Sequence, residues 1–176
     1  VGDMWGTGLF KANACDFCDD VTTELADISL GDAWLEPFSK DGKGANVIVT
    51  RSELADEIIQ EGMKNDELAV EPLSLERFLS SQQGSFNHRH KGLGYRIELA
   101  KKQGKMVPSK RHDKEKVPID FKWVQKQRLK VREKSLEIWR ETKNASVFDS
   151  EMKKDLQRLY LLTKIYHYKR KFGNKF

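Results

Sequence analysis

Cys15-Asp16-Phe17-Cys18 is the stretch whose residue types and spacing could hold a metal. Thiolates at this spacing can point at one ion from a tight turn. The pattern alone leaves three chemistries open: half of a zinc site, part of an iron–sulfur site, or a redox dithiol. Asp16, Asp19, Asp20 and Glu24 crowd the pair. Nearby carboxylates raise a thiol's pKa, which argues against a low-pKa redox nucleophile and is tolerable if metal holds the thiolates. A second stretch, residues 82–91, is polar, Gly-containing and locally basic. It could clasp phosphates, and a solvated loop is the plain alternative. Within it His88 and His90 stand at i, i+2 with no carboxylate close in sequence, a poor arrangement for a metal. The sequence has no Ser–His–Asp, Walker or Gly-rich dinucleotide signature, so hydrolase and nucleotidase readings have no support.

The elements that would position these residues can be read from period and punctuation. Leu25–Leu30 alternates apolar and polar residues, the period of a half-buried strand, and Gly31-Asp32 ends it. Residues 45–51 form a β-branched run, the clearest strand. Ser52 can cap a helix over 53–62, with Leu54, Ile58 and Ile59 as its apolar stripe and Gly62 as its stop. Residues 68–71 read as a short strand ending at Pro72, which gives a βαβ-like unit in a small mixed sheet. Short helices are expected over 75–81 and 93–102. Residues 105–118 are charged and Pro-bounded, like a linker.

Two long helical patterns follow. Phe121, Val124, Leu129, Val131, Leu136, Ile138 and Trp139 share one half of a helical wheel, as do Phe148, Met152, Leu156, Leu159, Leu162 and Tyr166. Neither stripe can be buried alone, so an antiparallel hairpin is expected, with Leu136, Trp139, Leu159 and Leu162 inside. The fold class is therefore α+β, with a C-terminal helical region ending in that hairpin. The domain division expected is 1–108 and a basic appendage over 119–176. Trp123 falls off its helix's apolar face, whereas Trp5, Trp34 and Trp139 are expected in the core.

Charge divides the chain sharply. Residues 1–86 hold 6 Lys+Arg and 17 Asp+Glu, a balance of −11, and residues 87–176 hold 26 and 10, a balance of +16. Such asymmetry implies two structural units or a basic arm meeting an acidic partner. Mean hydropathy is −0.68 with 34% charged residues, and no apolar run approaches the roughly 20 residues of a spanning helix. Two cysteines are too few for an extracellular disulfide framework, so a cytoplasmic location is expected. The chain starts at Val1 and reads as part of a longer protein.

Cys15-x-x-Cys18-Asp19, then residues 24–34 (ELADISLGDAW), then 46–51 (NVIVTR), resembles the C-terminal domain of the coenzyme F420 hydrogenase/dehydrogenase beta-subunit family, over roughly residues 10–108. The resemblance implies a 4Fe-4S cluster, a flavin such as FAD, and electron exchange with coenzyme F420 or another flavin-type carrier. Relatives also occur beside polysaccharide-biosynthesis enzymes in bacteria without F420. Carried over, Cys15 and Cys18 match cluster ligands, and the remaining ligands are expected upstream of Val1. Gly31 and Asp32 match a family motif at a strand end; a turn glycine and its cap are the alternative. Arg51 could hold a phosphate, against a surface ion pair with Glu53 or Asp56, and Lys91 falls where relatives often have Lys. The implied protein is an oxidoreductase needing a redox partner or a missing N-terminal domain, so this segment alone is expected to be inactive.

A second class of function rests on the basic half. There the helical arm would be a non-catalytic module docking an acidic protein, a membrane surface or nucleic acid, the last being the least favoured. Tyr166–Phe172 mixes aromatics with cations and could touch such a surface, though a solvated helix face is the plain alternative.

Overall fold

The computed structural model describes residues 6–112 and 115–173. Trp5 lies outside the described residues. The chain packs as two compact units, one of residues 1–19 with 90–176 and one of 20–89. These units do not follow the 108/119 division read from composition.

In the unit of residues 20–89, β1 (Ile28–Asp32) pairs antiparallel with β2 (Asn46–Thr50), in a register that sets Gly31 opposite Val47 and Asp32 opposite Asn46. Helix α1 (Glu53–Lys64) starts where expected, because the Ser52 hydroxyl accepts from the Ala55 N–H at 3.3 Å. The expected third strand does not form among the described residues. Asp66 adopts a left-handed φ of 59°. The N–H groups of Glu67 and Leu68 then both reach the Gly62 carbonyl, at 2.8 and 3.0 Å, and Asp66 N–H reaches the Met63 carbonyl at 3.2 Å. This is a Schellman ending, and it engages the Leu68 donor, the first that a strand over 68–71 would need. Pro72 supplies none. The sheet is therefore two antiparallel strands without a βαβ crossover, and α1 runs past Gly62, which is buried against Leu68.

The same unit buries only small apolar residues well, Ala33, Val47 and Ala55. Leu54 and Ile58 face outward on α1, and Trp34 is exposed too, against expectation. A two-stranded sheet offers too little area to cover them.

Where a loop is expected between the helices at 75–81 and 93–102, the backbone stays helical. Helix α2 (Leu75–Ser81), capped by Ser74, passes into α3 (Gln83–Phe86), then a π turn over Asn87–Lys91, then α4 (Leu93–Lys102). The division between the two units falls inside this π turn.

In the other unit, α5 (Ile119–Thr142) and α6 (Ala145–Gly173) form the expected hairpin. Lys143 turns the chain at φ 46°, and the Asn144 side chain caps α6 by accepting from Val147 N–H at 3.1 Å. Val124, Val131 and Ile138 recur every seven residues and meet Phe148, Met152 and Leu159. Leu159 is buried as expected and Leu136 and Leu162 are half-buried. Trp139 is 42% exposed rather than enclosed. It stands edge-on to Phe10 and Phe148, with centroids 6.1 and 6.2 Å away. Phe10 itself stacks on Phe148 at 5.0 Å, and its N–H donates to the buried Ser135 hydroxyl at 3.0 Å. The segment before the cysteines is thus part of the hairpin's core, which is why the helices are not a separate appendage.

Asp155 is the buried polar centre of this packing. Its carboxylate accepts from Lys130 at 2.7 Å, Gln127 at 3.2 Å and Lys134 at 3.3 Å. The Lys130 hydrogen bond leads in holding its carboxyl below the usual range, against the opposing effect of burial.

Two outcomes follow from this packing. Met152 is fully enclosed, so Met152→Ala should cost about 3 kcal/mol in a denaturant melt, and Trp139→Ala clearly less. A depressed carboxyl stabilises the fold above its unfolded pKa, about 4, and that stability is lost as pH falls through the lower folded value. Asp155→Asn should therefore cost about 2 kcal/mol at neutral pH, and the gap from the parent should close as the medium is acidified.

Candidate metal centre

Residues Asn13–Asp16 form one turn of 3₁₀ helix, so the two thiols sit on a short, tight segment. Cys15 is exposed, Cys18 is half-buried, and no disulfide joins them. Between them Asp16 is buried. Its carboxylate accepts from Arg132 at 2.8 Å and Lys11 at 3.0 Å. Its backbone carbonyl accepts from Arg96 Nε at 2.8 Å. Arg132 also reaches the Asn13 side chain at 2.9 Å, and Arg96 reaches Gln125 Oε1 at 2.9 Å. The cysteine turn is thereby fastened to α4 and α5. The carboxylate between the cysteines is thus held by cations from the basic helices and from Lys11.

The next acidic residue is fastened as well. The Asp19 carboxylate accepts from Lys110 at 3.1 Å, and its carbonyl meets His90 Nε2 at 2.8 Å. Burial opposes ionisation of Asp19, but the Lys110 and backbone hydrogen bonds outweigh it and the carboxyl lies below its usual range. His90 stacks on His112 with centroids 3.8 Å apart. Residues 105–118, read as a linker, thus supply part of the support.

The charge beneath the turn is positive. Lys11, Arg96, Arg128 and Arg132 all stand around Asp16, with Glu133 at the edge on Arg132. Burial lowers the pKa of Lys11, with Asp16 opposing. A thiolate or an anionic cluster held by thiolates is favoured over such a bed. The donor set is half of what a four-ligand site needs: two thiols, and among the described residues no group of three or more His, Cys, Asp or Glu close enough for a metal.

The other residues read as cofactor contacts lie as follows. Gly31 is inside β1, not in a turn, and an added Cβ there would only touch Val47 and Gln82 at 3.7 and 3.9 Å. The cleft it lines, with Thr22, Val47 and Gln82, holds about 40 Å³, against about 300 Å³ or more for a usual ligand pocket. Asp32 is exposed at the strand end, and its carbonyl accepts from Gln82 at 2.9 Å. Arg51 is turned to carbonyl groups rather than to Glu53 or Asp56. It donates to Thr22 O at 2.7 Å, Ala26 O at 3.1 Å and the Ser29 hydroxyl at 3.4 Å, tying down the segment before β1. Lys91 is exposed at the end of the π turn. The two cysteines and Lys91 belong to one unit, and Gly31, Asp32 and Arg51 to the other. A larger cleft of about 310 Å³, lined by Tyr95, Lys101 and Lys122 among others, contains none of them.

Residues 3–76 match the family model that describes the C terminus of the coenzyme F420 hydrogenase/dehydrogenase beta chain. The resemblance read from the sequence is borne out. The matched stretch takes in the cysteine turn, both strands and α1, and stops at the start of α2. It covers fewer than half of the residues, and α4 and α5, which fasten the turn, lie beyond it. No curated protein and no solved structure matches the chain.

Asp16, Arg96 and Arg132 were missed by motif reading. The signal was present in α5, where Gln125, Arg128, Arg132 and Ser135 form a polar seam beside the apolar one at 124, 131 and 138. Polar residues at inward positions of a long helix imply a polar partner. Arg132→Met should leave Asp16 buried without its nearest cation and cost about 3 kcal/mol. Faster amide exchange over residues 11–19, compared with the parent, is the direct measurement.

Proposed function

We propose that this chain is part of an electron-transfer oxidoreductase in which Cys15 and Cys18 supply two thiolate ligands to a 4Fe-4S cluster. The observation that carries the reading is the cysteine turn held open to solvent over a bed of cations, within a stretch that matches the beta-subunit family. When bound, such a cluster would relay single electrons to a flavin such as FAD, with coenzyme F420 or a related carrier as the second partner. The chain's own residues do the positioning. Asp16, clamped by Arg132 and Lys11, fixes the turn, and Arg96 holds its backbone. The cations offset the negative charge that thiolate ligands bring.

The remaining ligands come from a partner protein or another domain, since the sequence has only two cysteines. Asp32 and Lys91 are proposed as cofactor contacts because both are exposed; Gly31 would admit a ring near the backbone only once the small cleft beside it widens. Arg51 is the weakest of the four, because its donors already serve carbonyls. By the same reading this chain alone is inactive.

The non-catalytic alternative draws on the positive half of the chain. Part of that charge is engaged inside the fold, at Asp16, Asp19 and Asp155, which weakens a purely polyanion-binding reading.

The deciding experiment expresses the protein with its natural flanking sequence and partner under anaerobic conditions, as the parent and as Cys15→Ser. The parent should contain iron and sulfide and absorb in the visible, and the variant should lose most of both. Equal iron in the two, or none in either, would remove these cysteines from the cluster.

A further inference from the structure

Helix α6 has two faces, and the hairpin explains only one. Met152, Leu159 and Tyr166 point at α5. At 100° per residue the opposite arc carries Tyr160, Leu161, Lys164, Ile165, Tyr168 and Lys171. Tyr160 is 71% exposed, Leu161 56%, Ile165 37% and Tyr168 55%. Four large side chains at helical spacing on a solvent face are a patch, not scattered surface residues. The charge around them has one sign: from Leu156 to Phe176 the sequence holds six Lys or Arg and no Asp or Glu.

We propose that this outward face of α6 docks on an anionic bilayer surface. Tyrosine rings combine an apolar body with a polar tip and suit the headgroup level, where the two aliphatic residues would enter the acyl boundary. Lys164 and Lys171 can lie along the apolar surface and keep their ammonium groups among lipid phosphates. Duplex nucleic acid would satisfy the cations but leave Leu161 and Ile165 facing water, so the aliphatic pair favours lipid. The helix lies on the bilayer and does not cross it: among the described residues no helix is long and apolar enough to span one. The proposal is independent of the cluster, and iron content is expected to be unchanged in the variants below.

The test is co-sedimentation of the chain with vesicles of phosphatidylcholine alone and of phosphatidylcholine mixed with phosphatidylglycerol, at low and raised salt. The chain should sediment with the mixed vesicles only, and less at raised salt. Lys164→Gln should lower partitioning about fivefold. Leu161→Ser combined with Ile165→Ser should abolish it, with the thermal melt confirming that the fold is intact. A duplex DNA competitor separates lipid from polyanion binding. No sedimentation with mixed vesicles overturns the proposal. So does sedimentation that survives the double serine change, or DNA binding of equal strength that ignores it.

Discussion

One buried ion cluster organises the unit that holds the cysteines. Asp16 sits between the two cysteines, takes Arg132 and Lys11 on its carboxylate and gives its carbonyl to Arg96. A buried carboxylate is costly unless its charge is matched and its lone pairs are filled. Here both conditions are met by helices far away in sequence. The turn's geometry therefore depends on α4 and α5 being in place, and those helices in turn depend on the hairpin core around Val131 and Met152.

That dependence explains what was legible in the sequence. The hairpin was, because seven-residue spacing at 124, 131 and 138 and again at 152, 159 and 166 is a local pattern that needs no knowledge of distant residues. The strands were too, though their bounds differ slightly: β1 is Ile28–Asp32 where 25–30 was expected, and β2 is Asn46–Thr50 where 45–51 was expected. The third strand was not, because Leu68, Ala69 and Val70 look like strand residues while the Leu68 backbone donor is claimed by a helix end. That competition is decided by the left-handed turn at Asp66, which composition does not reveal. Likewise residues 82–91 are polar enough for a loop, yet their backbone stays helical through a π turn.

The two cysteines of the candidate site stand out in the sequence, and their surroundings do not. The C-x-x-C spacing names two thiols, and the family match supports the chemistry around them. The acidic neighbours were visible as a crowd of like charges, but their pairing was not. Asp16 meets cations from residues 96 and 132 and Asp19 meets the one at 110, so the crowding of like charges in the sequence is answered by long-range attraction. The −11 and +16 halves of the chain are partly a statement about this internal pairing.

The distance between the turn and its clamps also orders its assembly during synthesis. Asn13 and Arg132 are 119 residues apart, and Asp16 and Arg96 are 80 apart. Contacts of that separation close late, because a long loop must be ordered first. The ribosome therefore releases both thiols well before the arginines that fix them exist. Until α5 emerges, the cysteines are a pliable dithiol segment open to oxidation or to a stray metal ion. The thiols reach their final setting only after translation of the C-terminal helices, and until then need conditions that keep them reduced.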